Sequence, residues 1–341
     1  METMFPLPTL LLPCLSILSC IIATPIPTPS TNLANTRDIY QFPNKGTWVE
    51  NLAVRFNGQI IITRLDVPQI FQVNPFTPGQ PPTLIAEFPG YLGTIGIAEV
   101  SPEIFAVAVG NYSVATRSNT PKSYAVWKVD MRSFNGQPGS AKTSKITDIP
   151  EAILLNGVTL LDGWDATVLV ADSGLGVVYR VDTKAGTYEI VQDDATMKAT
   201  GLGVNGLRVR NGNFFFTNGG KNTFTKVPIN RDGTAAGAYQ TIVTNTVGSF
   251  DDFALDILGD AFAAQGGGGN QIVKISRGGV ETEVAGNINS TAIAGPTSAR
   301  FGRTLRDLTT LYVTTNGGLT GPVDGTIVEG GKIVAVDVPI L

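Results

Sequence analysis

The chain has 341 residues, of which 43% are hydrophobic and 15% are charged, so it is long enough for one large globular domain or two ordinary ones. Its formal net charge is −4 and it has no basic stripe, which argues against nucleic acid or an anionic membrane as a partner. It contains no histidine, which excludes a Ser-His-Asp triad, a histidine general base and an imidazole metal site.

The first feature in chain order is an apolar run at residues 9–23, which is too short to span a bilayer. A proline-rich polar stretch follows it and cannot continue a helix. We therefore predict a signal peptide at 1–23, a linker at 24–36 and one domain at 37–341. The alternative is an uncleaved anchor.

The cysteines and the sequons fit a secretory route. Cys14 and Cys20 both lie in the predicted leader, so the mature chain would have no disulfide, no thiolate nucleophile and no zinc or iron–sulfur site. Asn111 and Asn289 each begin an Asn-X-Ser/Thr triplet, and we predict both as glycosylation sites. The expected location is the secretory pathway or the extracellular space, with no membrane association once the leader is cleaved.

Short strands recur along the rest of the chain, with Gly, Asn and Asp between them. Each unit has a polar first residue, an apolar strand, a turn and two further strands, and the period of about 48 residues is typical of a β-propeller. The alternative is a β-sandwich with a second domain. The first two strands lie at 50–63, 156–172, 205–218, 252–265 and 297–315, the third at 69–73, 176–182, 223–229, 271–275 and 331–337, and a weaker copy spans 96–130.

Six units fill the chain after the linker. We therefore predict an all-β protein, a monomeric six-bladed β-propeller of mostly four-stranded blades. The last unit has only three strands of its own. Residues 37–42 would supply the fourth and close the ring, which removes two exposed sheet edges.

The first strand of each blade lines a propeller's channel, with its first residue at one mouth. Four of these residues carry carboxyl or carboxamide groups, and no Lys or Arg is among them. Carboxylates buried without a cation are costly, and oxygen ligands suit Ca²⁺, Mg²⁺ or Mn²⁺, so we predict one divalent cation and no organic cofactor. Alternatively, Asn and Asp only begin strands by turn chemistry. In register, the first residues are Glu50, about Gly96, Asn156, Asn205, Asp252 and Thr297.

Two other motifs have simpler explanations. Asp251 and Asp252 are adjacent, and neighbours on a strand point to opposite faces, so we expect only Asp252 at the channel and Asp251 towards solvent or a loop. The run Gln265-Gly-Gly-Gly-Gly-Asn270 lacks the Lys-Ser/Thr of a phosphate loop, so we predict a hairpin connection there.

The segments WVENLAVRFNGQ, LLNGVTLLD, GVNGLRVRNGN and SFDDFALDILGD resemble the SMP-30/gluconolactonase-like six-bladed propellers. The resemblance implies that Glu50, Asn156, Asn205 and Asp252 hold a divalent cation and form the catalytic site. The segment FPNKGTWVENLAVRFNGQIIITRLD resembles a secreted fungal branch that includes the hetero-Diels–Alderases of tropolone–sesquiterpenoid pathways.

Three functions are compatible with these residues. The preferred one is a hetero-Diels–Alder cycloaddition between a tropolone- or phenol-derived o-quinone methide and a sesquiterpene such as humulene, which needs orientation of two apolar substrates rather than a nucleophile. The first alternative is a metal-dependent lactone hydrolase with Asp252 as general base. The second is a non-catalytic binding propeller.

Apolar and aromatic side chains are frequent in the predicted mouth loops, which favours apolar small-molecule substrates over sugar lactones. Packing of the same side chains on the blade tops is the simpler explanation. We predict that Trp48, Tyr91 and Phe250 bind substrate; Phe88, Leu92, Tyr112 and Leu175 are further candidates.

Overall fold

The structure is a computed structural model that describes Met1 and residues 33–161 and 166–338. The predicted cleavage site and both cysteines lie outside the described residues. The propeller forms a compact unit that begins at Leu33. None of the helices in the described ranges has the length and apolar character needed to cross a bilayer.

Six four-stranded antiparallel sheets form the six blades, as predicted. A small hairpin of β8 (Tyr112–Ser113) and β9 (Ser118–Asn119) projects from blade 2, and two short 3-10 helices lie at Ala195–Met197 and Thr291–Ile293. Blade 1 contains β2 (Val49–Val54), β3 (Ile60–Arg64), β4 (Gln69–Val73) and β5 (Thr83–Glu87), and blade 2 contains β6 (Gly93–Ser101), β7 (Ile104–Gly110), β10 (Ala125–Asp130) and β11 (Lys142–Asp148). Blade 3 contains β12 (Leu155–Leu160), β13 (Thr167–Asp172), β14 (Val177–Asp182) and β15 (Tyr188–Gln192), and blade 4 contains β16 (Val204–Arg210), β17 (Asn213–Asn218), β18 (Thr223–Pro228) and β19 (Gln240–Thr244). Blade 5 contains β20 (Ser249–Leu255), β21 (Ala261–Gly266), β22 (Gln271–Ile275) and β23 (Glu281–Gly286), and blade 6 contains β24 (Pro296–Phe301), β25 (Thr310–Thr315), β26 (Lys332–Asp337) and β1 (Thr36–Gln41).

Strand β1 closes the ring. It pairs antiparallel with β26, so the first strand of the chain is the outer strand of the last blade. Ile39 on β1 is 1% exposed and packs with residues of blades 6 and 1. The closing strand predicted at 37–42 is therefore confirmed.

The core is divided among the blade interfaces. Six apolar clusters occur in the described residues, and each fills the space between neighbouring blades. The inner strands supply mostly buried residues, whereas outer strands such as β11 and β15 are largely exposed. This pattern explains why the apolar runs of the sequence marked the inner three strands of each unit and not the fourth.

A β-bulge opens the inner strand of all six blades. In each bulge, two consecutive residues lie opposite a single residue of the second strand. We call these the first and second bulge residues. The first bulge residues are Glu50, Ile95, Asn156, Asn205, Asp251 and Thr297; the second are Asn51, Gly96, Gly157, Gly206, Asp252 and Ser298.

Short turns join the second and third strands at the same end of the ring as the bulges. The glycine run 266–269 connects β21 to β22, which confirms the predicted hairpin. The corresponding connections in blades 3 and 4 follow Asp172 and Asn218. These turns, together with the loops that lead into the inner strands, surround the start of the channel.

Candidate functional site

The first bulge residues lie at one end of the channel, which we call the mouth. Glu50, Asn156 and Asn205 are buried there, and Asp251 is partly exposed. A side-chain hydrogen bond joins Asn205 to Asp251, and the charge of Glu50 acts on Asp251. The structure therefore places three of the four predicted site residues at the mouth and adds Asp251 to them.

Asp252, the fourth predicted residue, makes ion pairs along the channel. Its Oδ1 lies 3.0 Å from Arg208 Nη1, and its Oδ2 lies 3.3 Å from Arg300 Nη1. Asn51 Nδ2 and Ser298 Oγ donate to Oδ2 at 3.0 and 3.2 Å. The carboxylate is thus fully engaged by two guanidinium groups and two neutral donors.

The expected orientation of Asp251, towards solvent or a loop, is wrong, whereas Asp252 lies along the channel as expected. The expectation assumed a regular strand, in which consecutive side chains alternate between faces. In β20 both residues lie opposite Ala264, and this bulge breaks the alternation. The catalytic and metal-binding roles predicted for Asp252 therefore fit Asp251 better. The absence of Arg from the first positions was misleading, because Arg208 and Arg300 reach Asp252 from further along their strands.

A signal in the sequence could have found Asp251. The pair Glu50-Asn51 is followed by an apolar residue, as are Asn156-Gly157 and Asn205-Gly206. In the fifth unit the pair that precedes the apolar Phe253 is Asp251-Asp252. Alignment on the apolar residue therefore puts Asp251, and not Asp252, in register with Glu50.

Threonines on the second strand satisfy backbone groups that the bulges leave unpaired. Thr63 Oγ1 accepts from the amide of Asn51 at 3.0 Å, and Thr217 Oγ1 accepts from the amide of Gly206 at 2.9 Å. Thr217 Oγ1 also donates to the backbone oxygen of Asp251 at 2.7 Å, which links blade 4 to blade 5. These bonds fix the backbone that carries the site.

The two mouth carboxyl groups hold protons more tightly than ordinary acids. Burial raises the pKa of Glu50 to about 7; the hydrogen bond from Trp48 opposes this shift, and the charge of Asp252 adds to it. Burial also raises the pKa of Asp251 well above its usual value, with the charges of Glu50 and Asp252 adding to the shift. Near pH 7 the pair therefore retains a proton.

Trp48, predicted to bind substrate, lies beside Glu50. Its indole Nε1 donates to Glu50 Oε2, and its backbone amide donates to Asp66 Oδ1 at 3.0 Å. The ring is partly exposed and packs against the cluster between blades 2 and 3. Trp48 thus supplies both an apolar surface and a donor that positions the carboxyl group.

Tyr112 and Leu175 pack against the same cluster and are also partly exposed. Burial raises the pKa of Tyr112; the charge of Arg117 opposes this shift and the charge of Glu50 adds to it, so the phenol interacts with the mouth carboxyl group. The hairpin that carries Tyr112 reaches across to blade 6, where Arg117 Nη2 donates to the backbone oxygen of Leu319 at 3.0 Å. The mouth therefore has an apolar and aromatic side.

Two of the predicted substrate-binding residues lie elsewhere. Phe250, the residue before the bulge of blade 5, is 1% exposed within the cluster between blades 4 and 5. Its ring therefore cannot contact a ligand. Tyr91 packs edge-on against Trp127 with ring centroids 6.3 Å apart, on the outer part of blade 2. Phe88 is similarly buried, whereas Leu92 is exposed.

The donor set of the mouth fits a hard cation. Asn205 is 3% exposed, and its Oδ1 is buried without a hydrogen-bond partner, which is costly unless a ligand supplies one. Glu50, Asn156 and Asp251 would complete an oxygen-only set of the kind that Ca²⁺ or Mg²⁺ prefers. The mouth contributes only two carboxyl groups to this set, and no group of three acidic or thiol side chains suited to a metal ion occurs anywhere in the described ranges.

The two sequons occupy different surroundings. Asn289 is exposed in the loop that precedes β24. Asn111 is partly buried, and its Oδ1 accepts from the amide of Leu92 at 2.9 Å. Glycosylation at both asparagines remains a prediction.

Fold and site together define a six-bladed β-propeller with two carboxyl and two carboxamide side chains at its channel mouth. No known protein-family profile matches the chain. It is 29% identical over 324 residues to "Putative hetero-Diels-Alderase" from Phoma sp, an alignment that covers 85% of this chain and 90% of the relative. It is also 29% identical to "Putative hetero-Diels-Alderase asR5" from Sarocladium schorii, with 92% and 85% covered.

Solved structures share the fold at low sequence identity. A luciferin-regenerating enzyme has a TM-score of 0.64 and 16% identity, and covers 89% of this chain and 95% of its own. Regucalcin from Agrobacterium tumefaciens str. C58 has a TM-score of 0.59 and 14% identity, covering 90% and 96%. The structure of a "putative gluconolactonase" has a TM-score of 0.57 and 14% identity, covering 89% and 92%. These neighbours are propellers of the gluconolactonase/SMP-30 kind.

Proposed function

We propose that the protein is a pericyclase that joins an o-quinone methide, derived from a tropolone or phenol, to a sesquiterpene such as humulene at the channel mouth. The observation that carries the proposal is the similarity, over most of both chains, to two proteins named as hetero-Diels–Alderases. The mouth supports it because acidic groups that retain a proton lie beside aromatic surface.

The reaction places few demands on the protein beyond orientation and one polar contact. The heterodiene C=C–C=O adds to an alkene, one C–C bond and one C–O bond form, and no atom leaves. The heterodiene oxygen gains phenolate character as the bonds form, so a hydrogen-bond donor at that oxygen stabilises the transition state. Holding the two partners in a reactive arrangement can contribute about 7–11 kcal/mol in favourable cases.

The mouth residues divide between these tasks. Asp251 is the more exposed of the two carboxyl groups, so a ligand in the mouth can reach it, and its raised pKa lets it donate a proton in a hydrogen bond. Glu50 lies behind it and raises that pKa further. Trp48 and Tyr112 present rings to the apolar partner.

A divalent cation is a second way to stabilise the same oxygen. Glu50, Asn156, Asn205 and Asp251 would hold it, and the unpaired Oδ1 of Asn205 is the observation that favours its presence. When bound, it would supply Lewis-acid polarisation of a carbonyl oxygen. The same donor set supports the second candidate function, a lactone hydrolase in which Asp251 acts as general base.

The test offers the purified protein two kinds of substrate, each with and without EDTA. One is a quinone-methide precursor with humulene, and the other is a panel of lactones. We expect a single enantiomer of the cycloadduct, resolved by chiral chromatography, and no lactone turnover. Racemic adduct at the uncatalysed rate, together with EDTA-sensitive lactone hydrolysis, would reverse the assignment. Retention of stereoselectivity after EDTA treatment would assign the catalytic contact to the side chains alone.

We also propose that the mature protein acts as a secreted monomer. The apolar segment at 9–23 and the two sequons support the secretory route. The closed ring supports the monomer, since strand β1 covers the sheet edge that β26 would otherwise expose. Mass spectrometry of the secreted protein and light scattering in solution would test both statements.

A further inference from the structure

The channel end opposite the mouth contains a second cavity, of about 190 Å³. Its walls are the carboxyl ends of the inner strands, whereas the mouth is formed by their amino ends. Three arginines line it, one on β16, one on β24 and one in the loop after β24: Arg208, Arg300 and Arg303. The cycloaddition proposed above uses none of them.

The cavity carries more positive than negative charge. Arg208 and Arg300 share a single carboxylate, that of Asp252. Arg303 Nη1 bonds to the carboxylate of Glu99 and to the backbone oxygen of Val54. Three guanidinium groups therefore face two carboxylates, and one positive charge lies in excess.

The neighbouring charged pair does not change this balance. Arg55 and Glu103 bond to each other, so together they are neutral. Burial lowers the pKa of Arg208, and the charge and hydrogen bond of Asp252 oppose this shift. An anion in the cavity would remove the excess at short range, where a charge-assisted hydrogen bond to Arg is strongest.

The remaining walls are mostly apolar, with Thr159 and the carboxylate of Glu99, which is paired with Arg303, as the polar exceptions. Ile97, Val158 and Phe301 line the cavity beside the arginines. Its volume is below the roughly 300–1,000 Å³ of sites for drug-sized ligands, so only a small molecule fits. A charged end and an apolar wall together match an amphipathic anion better than an inorganic one.

We propose that this cavity binds a small organic carboxylate, with its oxygens bonded by the arginines and its short apolar body against Ile97, Val158 and Phe301. Arginine is suited to this role because its planar guanidinium can bond a carboxylate through two parallel N–H groups. The site is separate from the mouth, so its occupancy and the cycloaddition can be measured independently.

The experiment measures butyrate binding to the full protein by saturation-transfer NMR, with the neutral butyramide as the matched ligand. We expect butyrate to bind at least about tenfold more tightly than butyramide, since removing the ligand charge removes charge-assisted hydrogen bonds. Equal affinity for the two ligands, or no butyrate binding, would overturn the proposal. So would displacement of butyrate by a lower concentration of inorganic phosphate than of unlabelled butyrate.

The variants localise the binding. Arg303→Gln should weaken butyrate binding about tenfold, whereas Arg306→Gln, in the same loop but outside the cavity, should leave it unchanged. Equal binding by both variants would place butyrate elsewhere and contradict the assignment. If Arg303→Gln does not fold, the comparison of butyrate with butyramide in the wild-type protein still tests whether the ligand is bound through its charge.

Discussion

At the scale of single residues, Asp251 and Asp252 are sequence neighbours with opposite electrostatic surroundings. Asp252 lies between two arginines, whereas Asp251 lies near the carboxyl group of Glu50. Asp252 therefore stabilises the channel, and Asp251 is available for catalysis. Substitutions at the two positions should separate these roles.

Asp252→Asn should destabilise the protein by about 3–5 kcal/mol, because it leaves the guanidinium groups of Arg208 and Arg300 buried without their shared counter-charge. Asp251→Asn is the matched change and should cost far less, since it removes a carboxyl group that burial and Glu50 already disfavour in its charged form. Urea unfolding at pH 7 measures both. Equal losses of unfolding free energy would contradict this division.

Glu50 should make stability depend on pH. Its pKa is raised from 4.5 to about 7 in the folded protein, so the stabilisation is fully present below pH 4.5 and is lost as the pH rises through about 7. The full loss amounts to about 3 kcal/mol. Glu50→Gln should remove this part of the pH dependence, as measured by urea unfolding at pH 5 and pH 8.

The control for this pH dependence is Glu283→Gln, at an exposed position on the outer strand β23. It should leave the difference between pH 5 and pH 8 as it is in the wild-type protein. A wild-type difference that survives Glu50→Gln unchanged would show that the mouth carboxyl group ionises normally.

At the scale of the strand, the bulges bring the blades close enough to form the site. A Cβ added to Gly96 would lie 2.1 Å from the backbone oxygen of Asn156, and one added to Gly157 would lie 2.3 Å from that of Asn205. The second bulge residues of blades 2 and 3 must therefore be glycine. The close approach also fixes the first bulge residue of the next blade.

Gly157→Ala should consequently destabilise the protein by about 1–3 kcal/mol and reduce cycloaddition, since the backbone that carries Asn205 must move. Gly278→Ala is the control, because its added Cβ would meet Ser276 Oγ at an unstrained 3.8 Å. Thermal unfolding and product yield measure the two effects. A Gly157→Ala protein as stable and as active as the control would contradict the packing argument.

The strands also show which parts of the fold can be predicted from the sequence. The inner strands were predictable because they are buried runs of β-branched and aromatic residues; β4 and β22 have the predicted bounds. Exposed outer strands such as β11, with the sequence KTSKITD, carry no such signal. Asp252 was predicted in place of Asp251 because β20 begins with a bulge, and the alternation of side chains along a regular strand does not reveal a bulge.

At the scale of the whole molecule, six clusters at the blade interfaces and one closing strand hold the ring. The packing of the Tyr91 and Phe250 side chains in the blade interfaces was not predictable from the sequence. Whether an aromatic side chain of a loop packs inward or faces a ligand depends on contacts between segments that are distant in sequence. The six-bladed ring was predictable, because the sequence contains six copies of one repeat.

Ile39→Ala should destabilise the protein by about 2–5 kcal/mol, because the side chain is buried where β1 completes blade 6. Leu33→Ala, at a position that is 38% exposed and precedes β1, should change stability by less than about 0.5 kcal/mol. Equilibrium unfolding with light scattering would detect both the loss and any pairing of exposed β26 edges. A loss no larger than that of the control would mean that β1 is not needed for closure.

The enantiomeric excess of the humulene cycloadduct, compared between wild type and Asp251→Ala, measures whether the mouth carboxyl groups act in the reaction. We predict high excess with the wild-type protein, about 10–100-fold slower formation with Asp251→Ala, and no change with Asp193→Ala, which alters an exposed surface ion pair. An Asp251→Ala protein that matches the wild type in rate and enantiomeric excess would show that the mouth carboxyl groups take no part in the reaction.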